Sequence, residues 1–299
     1  MGQRQSLQVL AMMGKAPRQT MQKALGRFIR QQPLGFTGAV LVIMLTLVAV
    51  LAPWLAPYGP KVATFPPYVP PGQQGFLLGT DNLGRDILSR VIWGARLSLY
   101  VGLTSVLVGI TVGALWGVIT AYFGGTLDAS TQRVVDSLMA FPPIVLALGL
   151  MASLGQSVTN VIITLVLLLA PTAARTLRAS ALSVKAMPYI EAAHAIGCSH
   201  WRIIFRHILP NVVSPYIVLV SVNIGYAIVV EASLSFLGVG APPDEPSWGG
   251  MITAGAKVLE RAPWIALFPG AAISLTVFGF NLLGDAVRDS LDPRLRGTR

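Results

Sequence analysis

Charged residues are absent from five long intervals of this chain, and those intervals predict its helices. Residues 31–60 contain an apolar centre from Phe36 to Ala56, with Trp54 and Tyr58 at the far end. Aromatic rings at such an end suit a membrane–water boundary. A bilayer core of about 30 Å takes about 20 helical residues, so this interval predicts one span. Residues 97–127 predict a second. There Gly109, Gly113 and Gly117 fall four apart, on one helix face that another helix can approach closely. Residues 137–174 are too many for one helix and predict two, divided by the polar turn Gly155–Gln156–Ser157 with Asn160 nearby. Pro142, Pro143 and Pro171 predict irregular ends or kinks. The intervals ending at Glu231 and at Asp285 predict one span each. The expected fold is an all-α polytopic membrane protein with six transmembrane helices.

Composition agrees. The 299 residues are 54% hydrophobic and 11% charged, with a mean hydropathy of +0.66. Soluble domains carry about 25% charged residues. The net charge of +10 is read as basic membrane-flanking loops and not as a nucleic-acid surface. With the N-terminus inside, 16 of the 22 Lys and Arg lie in segments 1–35, 124–136, 174–211 and 285–299. The basic bias therefore predicts both termini in the cytoplasm. Cys198 is the single cysteine, so no intrachain disulfide is possible. The N-terminal basic region and the long apolar run after it do not read as a cleavable signal.

The loops carry the candidate chemistry. No GxxxxGK[ST], G-x-S-x-G or H-E-x-x-H occurs, and the spans hold almost no ionisable residue, so the chain is not expected to be an enzyme. After a Pro-rich linker, Asp81, Arg85, Asp86, Arg90 and Arg96 recur at spacings of four to six. They predict a turn and a short amphipathic helix leading into the second span, with a solvated, self-paired surface as the physical default. Glu231, toward the outer end of the fifth span, has two readings. It is a pathway or outer-gate residue, or an interfacial carboxylate reaching water. His194, Cys198, His200 and His207 lie close together, and His194 and Cys198 would share a helix face; no common zinc spacing is matched, so no metal site is assigned.

The polar stretch Glu191–Asn211, EAAHAIGCSHWRIIFRHILPN, carries the most information. It resembles the EAA loop of binding-protein-dependent ABC importer permeases. Glu191-Ala192-Ala193 is followed after three residues by Gly197, and nine residues later comes His207-Ile208-Leu209-Pro210, with His207 where the general pattern has isoleucine. That variant, together with LGTDNLGRDILSR, EASLSFLGVGAPPDEPSWGGMI and NLLGDAVRDSLDPRLRG, resembles the oligopeptide/dipeptide/nickel branch in its C-type second-permease form.

The resemblance implies a methionine-importer-like core. Residues 1–35 would be a cytoplasmic tail, 36–96 the first transmembrane helix and an extracytoplasmic loop, and 97–299 a five-helix permease core with a coupling loop at about 185–211. It also implies a bacterial inner-membrane location, a homologous second permease, two cytoplasmic ABC ATPase subunits, an extracytoplasmic substrate-binding protein and no cofactor. The ATPase-docking residues would be Glu191, Ala192, Ala193, Gly197, Trp201, Arg202, Leu209 and Pro210. Trp201, Ile203, Ile204 and Phe205 would anchor the loop on the membrane-proximal helices, and Leu209-Pro210 would form the hinge into the fifth span. The substrate is left open among dipeptides, oligopeptides, glutathione and nickel chelates. The alternative is a stand-alone metal-ion channel or secondary transporter.

Overall fold

The computed structural model describes residues 32–291, so most of the expected N-terminal tail and the last part of the C-terminal motif lie outside the described residues. In chain order the helices are α1 (Pro33–Val50), α2 (Ala52–Leu55), α3 (Ile87–Phe123), α4 (Gly125–Met139), α5 (Pro143–Leu154), α6 (Val158–Lys185), α7 (Pro188–Ala195), α8 (His200–Ile203), α9 (Leu209–Phe236), α10 (Trp248–Ala256) and α11 (Trp264–Leu291), with a π-helical turn at Ile204–Ile208 between α8 and α9. Five stretches are long and apolar enough to cross a bilayer, and α4 with α5 makes up to a sixth.

That sixth span is broken at the prolines where an irregular end or kink was expected. Its two pieces meet at 90°. Pro142 and Pro143 explain the corner. Neither has an N–H to continue a helix, and Pro142 sits extended (ψ 129°) as the cap of α5. The expected turn at Gly155–Ser157 is present, and Ser157 accepts a hydrogen bond from the N–H of Thr159 at 3.2 Å to begin α6.

The second span is also longer than its charge-free interval. α3 runs 37 residues, about 55 Å at 1.5 Å per residue, and starts at Ile87. Asp86 caps it, accepting from the N–H of Ser89 at 2.8 Å. The charged segment before and within its first turns is not a solvated surface. Asp81, Asp86 and Arg90 are all buried. The Asp81 carboxylate accepts the N–H groups of Leu83 and Arg85 at 2.8 and 2.9 Å and the Arg85 Nε–H at 2.6 Å, with Arg90 Nε 3.9 Å away. The self-pairing was legible from spacing. The burial was not, because it comes from distant chain: the Pro-rich segment folds over the site, and Arg90 donates to the carbonyl of Pro60 at 3.0 Å.

Small residues set the helix spacing. α3 and α6 pack along the glycine stripe. A Cβ on Gly113 would lie 2.7 Å from Ala173 Cβ, one on Gly117 3.0 Å from Ala174 Cα, and one on Gly109 3.1 Å from Leu169 Cβ. α1 crosses α11 the same way, with Gly38 against Leu282 and Gly279 against Leu41. At the Pro-rich end, α10 closes the bundle. Trp248 is buried, fits the notch left by Gly94, and donates to the carbonyl of Val91 at 3.0 Å. The segment between α9 and α11 thus includes a helix.

Candidate functional site

At the opposite end, α6 ends at Lys185 and the chain reverses through α7. Pro188 opens α7, where a missing N–H costs nothing, and Glu191 sits in its first turn, where a carboxylate is favourable. Ile190 and Ala193, three apart, are buried at 1% and 5% exposure. They join a cluster with Val118, Ala121 and Tyr122 of α3, Leu177 and Ala181 of α6, and Ile203, Ile204 and Ile208 beyond the turn. The opposite face of α7, with Glu191, Ala192 and Ala195, is exposed. It offers one carboxylate on a low surface of methyl groups.

The helix ends on Gly197. Its φ of +77° is the left-handed conformation that terminates helices. The N–H of Gly197 donates to His194 O at 3.0 Å, and that of Cys198 to Ala193 O at 3.1 Å. This pair of bonds is the Schellman closure. It leaves Ile196 at the tip, 80% exposed. An isoleucine held out in this way is a docking candidate that the sequence reading missed; only the position of the turn marks it.

The base of the turn is tied to the bundle through Tyr122, the second missed residue. Its hydroxyl lies 2.7 Å from His200 Nδ1 and 3.4 Å from His194 Nε2, and its ring stacks on His194 at 6.0 Å and 11°. Lys185 donates to the carbonyls of Ala121 and Tyr122 at 3.2 and 2.6 Å, capping α3 from α6. Asn211 donates to Tyr189 at 3.2 Å, joining α7 to α9. Arg178 grips Asp128 with two bonds of 2.7 and 2.6 Å and holds α4 against α6, where Arg175 also contacts Asp136. Three long helices and the turn therefore share one packed base.

Several expected roles change. His194 and Cys198 do not share a helix face, because α7 stops at Ala195 and Gly197 turns the chain. Two of the histidines serve Tyr122, and His207 lies beside Tyr189, 6.4 Å between ring centroids. Among the described residues no group of three or more His, Cys, Asp or Glu is placed to hold a metal. Ile203 and Ile204 anchor inward as expected; Trp201, though half exposed, sets its ring edge-on to Phe123 of α3 at 6.3 Å, and Phe205 does not turn inward. Four apart, Trp201 and Phe205 share the other face, stack on each other at 6.0 Å, and stay 55% and 53% exposed. Arg202 is exposed as well.

Leu209-Pro210 is not a break between loop and span. The helix begins at His200 behind the Ser199 cap and runs on through the π turn to Phe236. Pro210 lacks the N–H that a regular turn needs. The widened turn, in which Leu209 N–H bonds Ile204 O five residues back, admits it without interruption.

Glu231 is 1% exposed and does not reach water. Ser235 donates to its Oε1 at 2.9 Å, and Ser98 of α3 to its Oε2 at 3.3 Å. Next to it in α9, Ala232 is where Gly249 lets α10 approach to contact. The carboxylate ties α9 to α3 near the Pro-rich end.

The sequence matches the family described as binding-protein-dependent transport system inner membrane component over residues 109–297. Residues 20–73 match the N-terminal TM domain of oligopeptide transport permease C. A Brucella suis biovar 1 protein named for a peptide transport system permease is 45% identical over 260 residues, 87% of each chain. The glutathione transport system permease protein GsiD of Pectobacterium atrosepticum is 41% identical over 271 residues, 90% of each chain. Its counterpart from Escherichia coli O1:K1 / APEC is 43% identical over 276 residues, 91% of this chain and 90% of that one. Among solved structures, inward-facing conformations of the MetNI methionine ABC transporter share the fold. The TM-score is 0.57 at 17% identity, covering 69% of this chain and 98% of that one.

Proposed function

The chain belongs to the binding-protein-dependent transport system inner membrane components, and on that premise we propose that it passes short peptides inward as one half of an ATP-driven pore. It is a multi-pass membrane protein and a transporter subunit. The other half of the pore would be a homologous permease. Two ABC ATPases would bind in the cytoplasm, and a binding protein would deliver cargo from outside. The membrane is the bacterial inner membrane, with both termini on the cytoplasmic side. Family membership in a subunit class argues against the stand-alone channel or secondary transporter.

One observation carries the mechanism. An exposed tip, Glu191, Ala192, Ile196 and Gly197, stands on a base packed at once against α3, α6 and α9. The apolar tip fits a groove on an ATPase, and Ala193 beneath it gives the docked face its close backing. Arg202 and Trp201 flank the contact. Closure of the ATPases around ATP would push this turn, and the shared base would carry the push into three spans together. Leu209 and Pro210 transmit it through the continuous helix and are not a separate hinge. At the other end, Glu231 marks where α3 and α9 would part as the outer gate opens.

Relatives named for peptide and for glutathione transport support a short-peptide cargo, glutathione being itself a tripeptide. The test is uptake by proteoliposomes carrying both permeases and both ATPases. Labelled tripeptide is expected to accumulate only with the binding protein outside and ATP inside. Glu231→Gln, which keeps the shape and removes the charge, is expected to slow uptake several-fold. Peptide uptake without ATP, or none under any condition, would refute the reading.

A further inference from the structure

Between the two outer segments lies a cavity of about 300 Å³, bordered by Arg85, Arg90, Asp244, Glu245 and Lys257. This is at the small end of ligand pockets, which run to about 1,000 Å³. Its charges are layered. Arg85 and Arg90, with side chains 11% and 3% exposed, lie deep and share one carboxylate, Asp81. The floor therefore carries more positive than negative charge. Arg90 Nη1 donates to Pro60 O, but its buried Nε–H has no hydrogen-bond partner among the described residues. That nitrogen is closed to the cavity and lies 3.9 Å from Asp81 Oδ2, so what a ligand meets is the charge of the guanidinium as a whole. The rim is acidic. Glu245 pairs with Lys61 at 2.9 Å, while exposed Asp244 has no ion-pair partner among the described residues.

We propose that this cavity receives a short zwitterionic peptide, its C-terminal carboxylate on Arg90 and Arg85 at the floor and its α-ammonium on Asp244 at the rim. The proposal rests on the peptide reading above and adds to it a receiving site on the permease itself. The guanidinium pair suits a carboxylate, which it can meet with two parallel bonds. Asp244, the rim carboxylate without an ion-pair partner among the described residues, favours the opposite end of the same molecule. A cavity of this size admits a few small residues, which makes chain termini, and not side chains, the features recognised.

The test measures binding of radiolabelled trialanine to the assembled importer in nanodiscs with no binding protein present. Saturable millimolar binding is expected. The C-terminal amide and the N-acetyl peptide are each expected to bind at least about tenfold more weakly, the scale of a lost charged hydrogen bond. Asp244→Asn, at an exposed position, is expected to abolish the penalty for N-acetylation and leave the penalty for the amide. Arg90→Gln removes a buried partner of Asp81, so the decision rests on the three peptides and on Asp244→Asn. Absence of saturable binding, or equal binding of all three peptides, overturns the proposal. So does a floor satisfied instead by the binding protein, seen as loss of its docking in Arg90→Gln without any direct peptide binding. ATP-driven uptake that persists without direct binding refutes this site and leaves the importer reading standing.

Discussion

Asp81→Ala is expected to stop the protein accumulating in a folded form. The carboxylate closes its own turn through two backbone N–H groups and pairs with the guanidiniums of Arg85 and Arg90. Removing one member of a buried charge network costs about 3–5 kcal/mol, because the partner charges stay buried and unpaired. The two N–H groups add about 1 kcal/mol each. Set against a total stability of about 5–15 kcal/mol, that is enough to release the Pro-rich segment from the bundle. Asp136→Ala is the control. Asp136 and its partner Arg175 are 61% and 48% exposed, and such pairs contribute at most about 1 kcal/mol. Monodispersity and thermal stability in detergent check both. A stable Asp81→Ala protein would show that the network is decoration.

The second large effect lies in the membrane. Gly113→Leu is expected to separate α3 from α6 and abolish assembly, at a cost of about 3 kcal/mol or more. The Cβ alone would sit 2.7 Å from Ala173 Cβ and 3.0 Å from the backbone nitrogen of Ala174, and backbone cannot rotate away. Gly113→Ala should fall between wild type and Leu. Gly149→Ala in α5 meets nothing within 4 Å, so it should be neutral or slightly stabilising, since alanine is the better helix former. The same thermal assay ranks the three. Equal stability of Gly113→Leu and wild type would mean that the stripe does not set the helix spacing.

These two sites were unequally legible. The glycine stripe could be read because helical periodicity alone puts residues 109, 113 and 117 on one face. Only its partner, α6, had to come from the fold. The span count could be read for a similar reason, since lipid leaves little alternative to helix. The corner between α4 and α5 was half legible: paired prolines announce a break but not its angle. The Asp81 network shows the limit. Its spacing suggested pairing, but burial depends on the Pro-rich segment, whose Pro60 carbonyl receives Arg90 from 30 positions away.

At the turn after α7, the motif named Glu191 and Gly197, and the structure shows the chain turning at the glycine. The anchoring role expected of Phe205 failed inside the π turn, because a widened turn shifts which faces align. Tyr122 carried no local signal at all. A tyrosine at the end of a span reads as an interface residue, and its histidine partners lie 72 and 78 positions away.

The central claim is that this turn is the contact through which ATP hydrolysis moves the pore. Ile196→Asp tests it most directly, because an 80% exposed side chain can be changed without disturbing the packed base. The measurement is ATP hydrolysis by the reconstituted complex with and without peptide-loaded binding protein. The stimulated rate is expected to fall at least about tenfold toward the basal rate, while the permease keeps its thermal stability. Stimulation equal to wild type, with the ATPases still co-purifying, would contradict the account.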